Sequence, residues 1–382
     1  MAWPEHFTHF KSPILQWQEM PTFLVCEYLF FLLAAVSFLH AHRNGPLHRL
    51  IWWASLLAGT ANDLFFMALP VVDNFWQAQA TIMLTPRLPL YIPCVYICFM
   101  YYSVAAAWHL SLKAIQTAVL AGGLALLFYG PYDILGAKFL WWTWHATDAP
   151  IRERLLGVPI GSSMWILTFV SSFSFLLQLC TKKDPNVTFK RSLVCLGLCC
   201  AFTTPLMLIQ MTLLGFLDKE QIPSLSSFVG LLIMYAFLFT VPFFYSSNTN
   251  EGPKMRNSLN RLAAGSLVFY YVVLFSITLL GIPEKHVSVG IHQMFGPCDV
   301  TGIDITGRSR RIYLCKEDTD LSFRMDCGSL PSAYENWFTV CGKPYQPFIY
   351  WFLGMSFYCV FGSISYVFLF MRSDSHPKLR TA

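Results

Sequence analysis

Two carboxylic acids interrupt apolar runs near the start of the chain: Glu27 in "VCEYLFF" and Asp63 in "GTANDLFFM". An ionisable group inside a run of membrane-spanning length costs a few kcal/mol and by default marks a functional site. Each lies several residues inside the same end of its run. At ~1.5 Å per residue both sit roughly 8–10 Å below one boundary. Two carboxyls at one depth on consecutive helices would share a proton, or act as an acid and its stabilising partner. The plainer reading is a pair of interhelical hydrogen bonds that fix packing.

More polar groups gather towards the same side. Asn62 adjoins Asp63, Gln210 falls in the same half of a later run, and Tyr129, Asp133, His145, Asp148 and Arg152 follow within one stretch. That stretch contains "WWTWHATDAPIRERLLGVP". Tryptophan favours the membrane interface, so Trp141, Trp142 and Trp144 read as an aromatic belt. A belt does not require the rest. His145 and Asp148 are spaced for one face of a helical turn. Asp148-Ala149-Pro150 resembles a helix start that would carry Arg152, Glu153 and Arg154 on a short surface helix. Gly130-Pro131 and Gly157-Val158-Pro159 read as breaks on either side, enclosing a re-entrant or interfacial lid. The three histidines His40, His42 and His48, with His109, fall at the opposite rim, where headgroup contact explains them.

The elements that position these groups follow from composition. A hydrophobic fraction of 55% with 12% charged residues describes a polytopic membrane protein, and the net charge of +5 calls for no nucleic-acid partner. Apolar runs of about twenty residues predict an all-α transmembrane bundle of about nine spans. They lie near Thr22–His40, Leu50–Leu69, Pro89–Leu110, Ala114–Phe128, Pro159–Leu179, Ser192–Leu217, Ser224–Phe244, Leu262–Ile282 and Gln346–Phe370. Residues 1–21 lack the basic start and small-residue cleavage site of a signal peptide, so the first span reads as a retained anchor. Thirteen Lys and Arg flank one set of span ends and six the other short segments. The richer side is cytoplasmic, which puts the N-terminus outside and the C-terminus inside, in the plasma membrane or an endomembrane. Lys219, Lys254, Arg256 and the tail 372–382 contribute to that count. The expected domains are a bundle over 1–282, an outer loop over 283–345, a last span over 346–371 and the cytoplasmic tail. Glycosylation of Asn186, in the sole Asn-x-Ser/Thr acceptor, would overturn this orientation.

Eight cysteines fall in or beside spans, where apolar burial accounts for them. Cys180, at a cytoplasmic edge, is also a palmitoylation candidate. The other four, Cys298, Cys315, Cys327 and Cys341, share the outer loop. An even number outside the cytosol reads as two disulfides in one of three connectivities, over a zinc site that would want CxxC pairs. The loop carries Arg308-Ser309-Arg310-Arg311 and then Glu317, Asp318 and Asp320, and reads as a stapled cap that covers the outer face or binds a protein partner.

The segment "YGPYDILGAKFLWWTWHATDAPIRERLLGVP", followed by a hydrophobic span, resembles an uncharacterised family of animal multi-pass proteins defined by a domain of unknown function. That resemblance covers most of the transmembrane part. Over about a third of the chain it is also similar to carotenoid-biosynthesis and lycopene-cyclase-like membrane proteins, through Trp142 and Trp144, Gly157 to Pro159, and Glu27. The chain departs from that group in its cysteine loop and larger span count. The second likeness implies chemistry without a cofactor. A protonated carboxyl, Glu27 or Asp63, would protonate an isoprenoid double bond, with Trp142, Trp144 and Tyr129 as cation-stabilising walls and His145 with Asp148 as the base. Asn62, Asp133 and Arg152 would complete substrate binding. The expected partners are membrane lipids and a hydrophobic small molecule. A proton- or ion-coupled transporter, with Glu27 and Asp63 as coupling groups, and a receptor that recognises through its cysteine loop are the alternatives. No P-loop, HExxH or GxSxG motif is present.

Overall fold

The computed structural model describes residues 9–69, 72, 74–110, 112–215, 223–240, 257–304, 307–317 and 323–371. Lys219, Lys254, Arg256, Asp318, Asp320 and the tail 372–382 lie outside these residues. The chain is a helical bundle with a small antiparallel layer at one end. Its helices are α1 (Pro13–Glu19), α2 (Pro21–Arg43), α3 (Pro46–Ala68), α4 (Tyr91–Trp108), α5 (Ala114–Lys138), α6 (Ala149–Arg152), α7 (Ile160–Thr181), α8 (Phe189–Gly215), α9 (Leu225–Thr240), α10 (Asn257–Leu280) and α11 (Phe348–Met371). Eight of them, all but α1, α6 and α9, are long and apolar enough to cross a membrane, and α9 is an apolar helix of 16 residues as described. This is an integral membrane protein.

The helices begin where the backbone chemistry favours it. Proline opens α1, α2 and α3, where its missing N–H is an orphan in any case. α4 is the hub: every residue but Cys94 is buried, and α2, α3, α5 and α7 surround it. α8 and α11 instead expose rows of Leu, Phe, Ile and Val, the lipid-facing surface. Gly59 lets α3 approach α4, because a Cβ there would stand 2.3 Å from the Tyr96 ring.

α5 does not end at Phe128 as expected. It runs through Pro131 to Lys138, so Tyr129 and Asp133 sit on a helix and not in a connection. Pro131 has no N–H for the carbonyl of Leu127, four residues earlier. The Tyr271 hydroxyl of α10 donates to that carbonyl at 3.2 Å, and Tyr270 donates to Phe128 O at 2.8 Å. A neighbouring helix thus satisfies what proline removed, which is why a Gly-Pro pair breaks nothing here.

The strands all lie towards the end where α2 and α4 begin and α3 and α5 finish. β1 (His9–Phe10), β3 (Ile82–Thr85) and β4 (Leu88–Pro89) form one sheet in the order β1-β3-β4. β2 (Phe75–Gln77) pairs with β5 (Trp142–Trp144), Phe75 opposite Trp144. β6 (Arg154–Leu155) and β7 (Val158–Pro159) make a hairpin whose turn places Gly157 at φ 77°. The cap between α10 and α11 contains β8 (Val287–Ile291), β9 (Thr301–Ile303), β10 (Ser309–Arg311), β11 (Phe323–Arg324) and β12 (Trp337–Gly342). They form a β11-β12-β8 sheet and a β9–β10 hairpin. Two disulfides staple it, Cys298–Cys315 and Cys327–Cys341, with Cα separations of 5.4 and 6.1 Å. Of three connectivities the sequential one is present.

Candidate functional site

The WWTWH segment joins the cap to the bundle. As expected, Asp148 precedes a short helix with proline in its first turn, but that helix ends at Arg152. The tryptophans are not an interfacial belt. Trp141, Trp142 and Trp144 are 0, 1 and 6% exposed, and Trp142 fills the space left by Gly136, where a Cβ would meet its ring at 2.0 Å. β-pairing with β2 holds the segment within protein, and Trp141 Nε1 donates to Thr22 Oγ1 of α2 at 3.1 Å.

His145 and Asp148 do not pair with each other. Asp148 is held by Arg310 of the cap, Nε to Oδ1 2.7 Å, and by Asn74. His145 stacks on His292 of the cap at 5.5 Å, and Thr143 Oγ1 lies 3.3 Å from a nitrogen of each. Burial pushes both imidazoles down, His292 to about 3, and for His145 the neighbouring His292, Arg154 and Arg310 push the same way while a bond to Gln293 opposes them. Thr147 Oγ1 donates to Gln293 at 2.9 Å, and His286 meets Thr22 at 2.7 Å. These contacts are the cap's mooring.

Glu27 and Asp63 also part company. Glu27 is wholly buried and accepts from the Thr81 N–H at 3.1 Å and the Thr81 hydroxyl at 2.7 Å, just before β3. It ties the strand layer to α2. Asp63 instead faces a cavity of about 340 Å³ between α3, α4, α5, α7 and α8, roofed by β2 and β5. Of the residues singled out from sequence, Asn62, Asp63, Tyr129 and Trp144 line it; Asn74, the partner of Asp148, lines it too. Asp133 stands behind it, bonded to the lining residue Ser162. Glu27, Trp142, His145, Asp148 and Arg152 are not among its lining residues, and the Arg152 side chain is exposed.

The polar corner of the cavity is a directed chain of donors. Thr204 Oγ1 of α8 donates to Asn62 Oδ1 at 3.0 Å, Asn62 Nδ2 to the Tyr96 hydroxyl at 3.2 Å, and Tyr96 to Asp63 Oδ1 at 2.6 Å. Every link points at the carboxyl, so the chain steadies negative charge there. Phe66, Ile92, Trp165, Met207 and Met211 supply apolar walls, while Arg87, Asn74, Gln77 and Ser162 add charged and polar lining elsewhere. Trp165 lies 6.0 Å from both Tyr96 and Tyr129, ring to ring. A family model described as a domain of unknown function (DUF7802) matches residues 1–370. The chain belongs to that family. No curated protein and no solved structure matches it.

Tyr96, Thr204, Ser162 and Trp165 belong to the site without a signal in the sequence that singles them out as charge singles out Asp63. Nothing in "CVYICFMYY" separates Tyr96 from its neighbours, whereas Ser162 stands three residues after Pro159 of the Gly-Val-Pro turn. At the far end His42 is exposed, but two of the other histidines are not at the surface. His40 and His48 are buried, and the Tyr101 hydroxyl bridges them at 2.6 and 3.3 Å, with Asn260 at 3.3 Å from His40. They join α2, α3, α4 and α10 and do not reach a headgroup. Gln210 likewise links helices, bonding Ser172 at 2.7 Å and Tyr235 at 2.8 Å.

Proposed function

We propose that the protein binds a hydrophobic, isoprenoid-like lipid in the cavity at its cap end, and that Asp63 is the acid that protonates it. The donor chain Thr204–Asn62–Tyr96, converging on one carboxyl oxygen in a cavity whose lining joins apolar and aromatic walls to Arg87, Asn74 and Gln77, carries this reading. Tyr96 occupies Oδ1, so the proton resides on Oδ2 and is given to a double bond; the same donors then steady the carboxylate left behind. Tyr129, Trp144 and Trp165 line the cavity and supply the aromatic rings that stabilise the cation formed. The acid of this proposal is Asp63 and not Glu27, whose carboxylate accepts from Thr81.

The cap end faces the exterior or the lumen, with the N-terminus on that side and the C-terminus in the cytoplasm. Two disulfides and the sparse basic residues of the short segments there support this orientation. Ile303, Tyr334 and Trp337, exposed on the cap, suit a protein partner. The reading is tested by lipid extraction and mass spectrometry of purified protein. Wild type should carry one hydrophobic small molecule per chain, and M207W with M211W, which fill the cavity, should lose it. Equal recovery from both would refute it.

A further inference from the structure

The cavity has a second acid behind one wall. Ser162, in the first turn of α7, lines it, and its hydroxyl donates to Asp133 Oδ2 of α5 at 2.7 Å. Asp133 is 2% exposed, and its Oδ1 is buried without a hydrogen-bond partner among the described residues. A carboxylate needs several donors to replace the water it loses on burial. One serine does not supply them, and the N-terminal end of α7, although favourable to negative charge, leaves that oxygen unpaired. A carboxyl that takes up a proton removes the charge that burial opposes.

We infer that Asp133, acting through Ser162, is the proton acceptor of the same cavity, so that the reaction is migration of a double bond within an isoprenoid-type lipid. This rests on the reading of Asp63 as proton donor. Asp63 Oδ2–H gives its proton to one alkene carbon, forming a C–H bond and a carbocation. A neighbouring C–H bond breaks, and its electron pair becomes the new C=C. The released proton passes to Ser162 Oγ as the serine proton moves to Asp133 Oδ2. One proton has then moved from Asp63 to Asp133, substrate and product have one composition, and no oxidant or water is consumed. After the product leaves, water entering the emptied cavity returns Asp63 to the acid and, through Ser162, Asp133 to the carboxylate. The apolar part of the lining matters here, since water beside the cation would capture it as an alcohol.

The test uses full-length protein in phosphatidylcholine vesicles loaded with the non-saponifiable lipids of the expressing cells, incubated in D2O. Mass spectrometry reads carbon-bound deuterium, and native mass spectrometry reads lipid retention. Wild type should yield an isomer bearing one deuterium per turnover. D133N should retain the lipid and lose the isomer at least about 100-fold, within the usual range for a general acid or base. S162A, a smaller change that covers a misfolded D133N, should lose it at least about tenfold. Wild-type turnover in D133N and S162A, or a bound lipid that wild type leaves undeuterated or turns to an alcohol, overturns the inference while lipid binding stands. Absence of any bound lipid in wild type refutes the binding reading itself.

Discussion

Arg310 of the cap and Asp148 of the WWTWH segment form an ion pair with 2.7 Å between Nε and Oδ1, and both side chains are only 5% exposed. A buried pair of this kind fixes geometry more than it adds stability, because each charge has surrendered its hydration. Removing one partner strands the other.

R310M or D148N alone should therefore loosen the cap, at a cost of about 3–5 kcal/mol. Limited proteolysis across residues 283–345 should show faster cleavage in either single variant. The double variant R310M/D148M should recover much of the loss. Equal protection of wild type and single variants would show that the pair does not hold the cap.

Acid should act on the same junction through His145 and His292. Both imidazoles are buried with their affinity for protons depressed, His292 to about 3. The unfolded segment binds a proton near pH 6.5 while the folded one does not, so cap stability is complete above that pH. It declines as pH falls from about 6.5 towards 3, by up to about 1.4 kcal/mol per pH unit for each histidine. Hydrogen exchange of the β8–β12 amides at pH 7 and pH 5 should show the decline, and H292F should flatten it. An unchanged slope in H292F would remove His292 from the account.

Glu27 and Asp63 should separate by phenotype. E27Q weakens the charge-assisted bonds from Thr81 and should lower thermal stability by about 1–3 kcal/mol. D63N keeps an acceptor for Tyr96 and should melt close to wild type while abolishing lipid conversion. The reverse pattern would assign the chemistry to Glu27.

Tyr271 and Pro131 should be coupled. Y271F leaves the Leu127 carbonyl without its donor, at a cost of about 1–3 kcal/mol. In a P131A background the restored backbone N–H takes that carbonyl, and the same change should cost under about 1 kcal/mol. Equal costs in both backgrounds would mean that the tyrosine does not compensate for the proline.

Apolar runs made the span count legible, and four cysteines in one polar loop announced the disulfides. Glu27 and Asp63 stood out because charge is rare in such runs, but their equal depth said nothing of azimuth, and a helix turned towards Thr81 differs from one turned towards a cavity only in three dimensions. Gly130-Pro131 read as a break because the donor that repairs it, Tyr271, lies 140 residues later in the sequence. Trp141 and Trp144 read as a belt for the same reason: Thr22 and Phe23 of α2 and Phe75 of β2, which pack against them, are remote in the chain. Arg310, one of three arginines in a polar stretch, carried no sign that it would be buried against Asp148.

The claim that Asp63 stands in a lipid-binding cavity is tested most directly by photo-crosslinking with a diazirine-bearing isoprenoid lipid and mapping the labelled residues. Phe66, Trp165, Met207 and Met211 line the cavity. Leu64, Phe65, Ile209 and Leu213, on the same α3 and α8, are 49, 47, 54 and 62% exposed on the outer surface. The account predicts saturable labelling of the first group that is lost in M207W/M211W. Labelling confined to the second group, and unchanged by those substitutions, would contradict it.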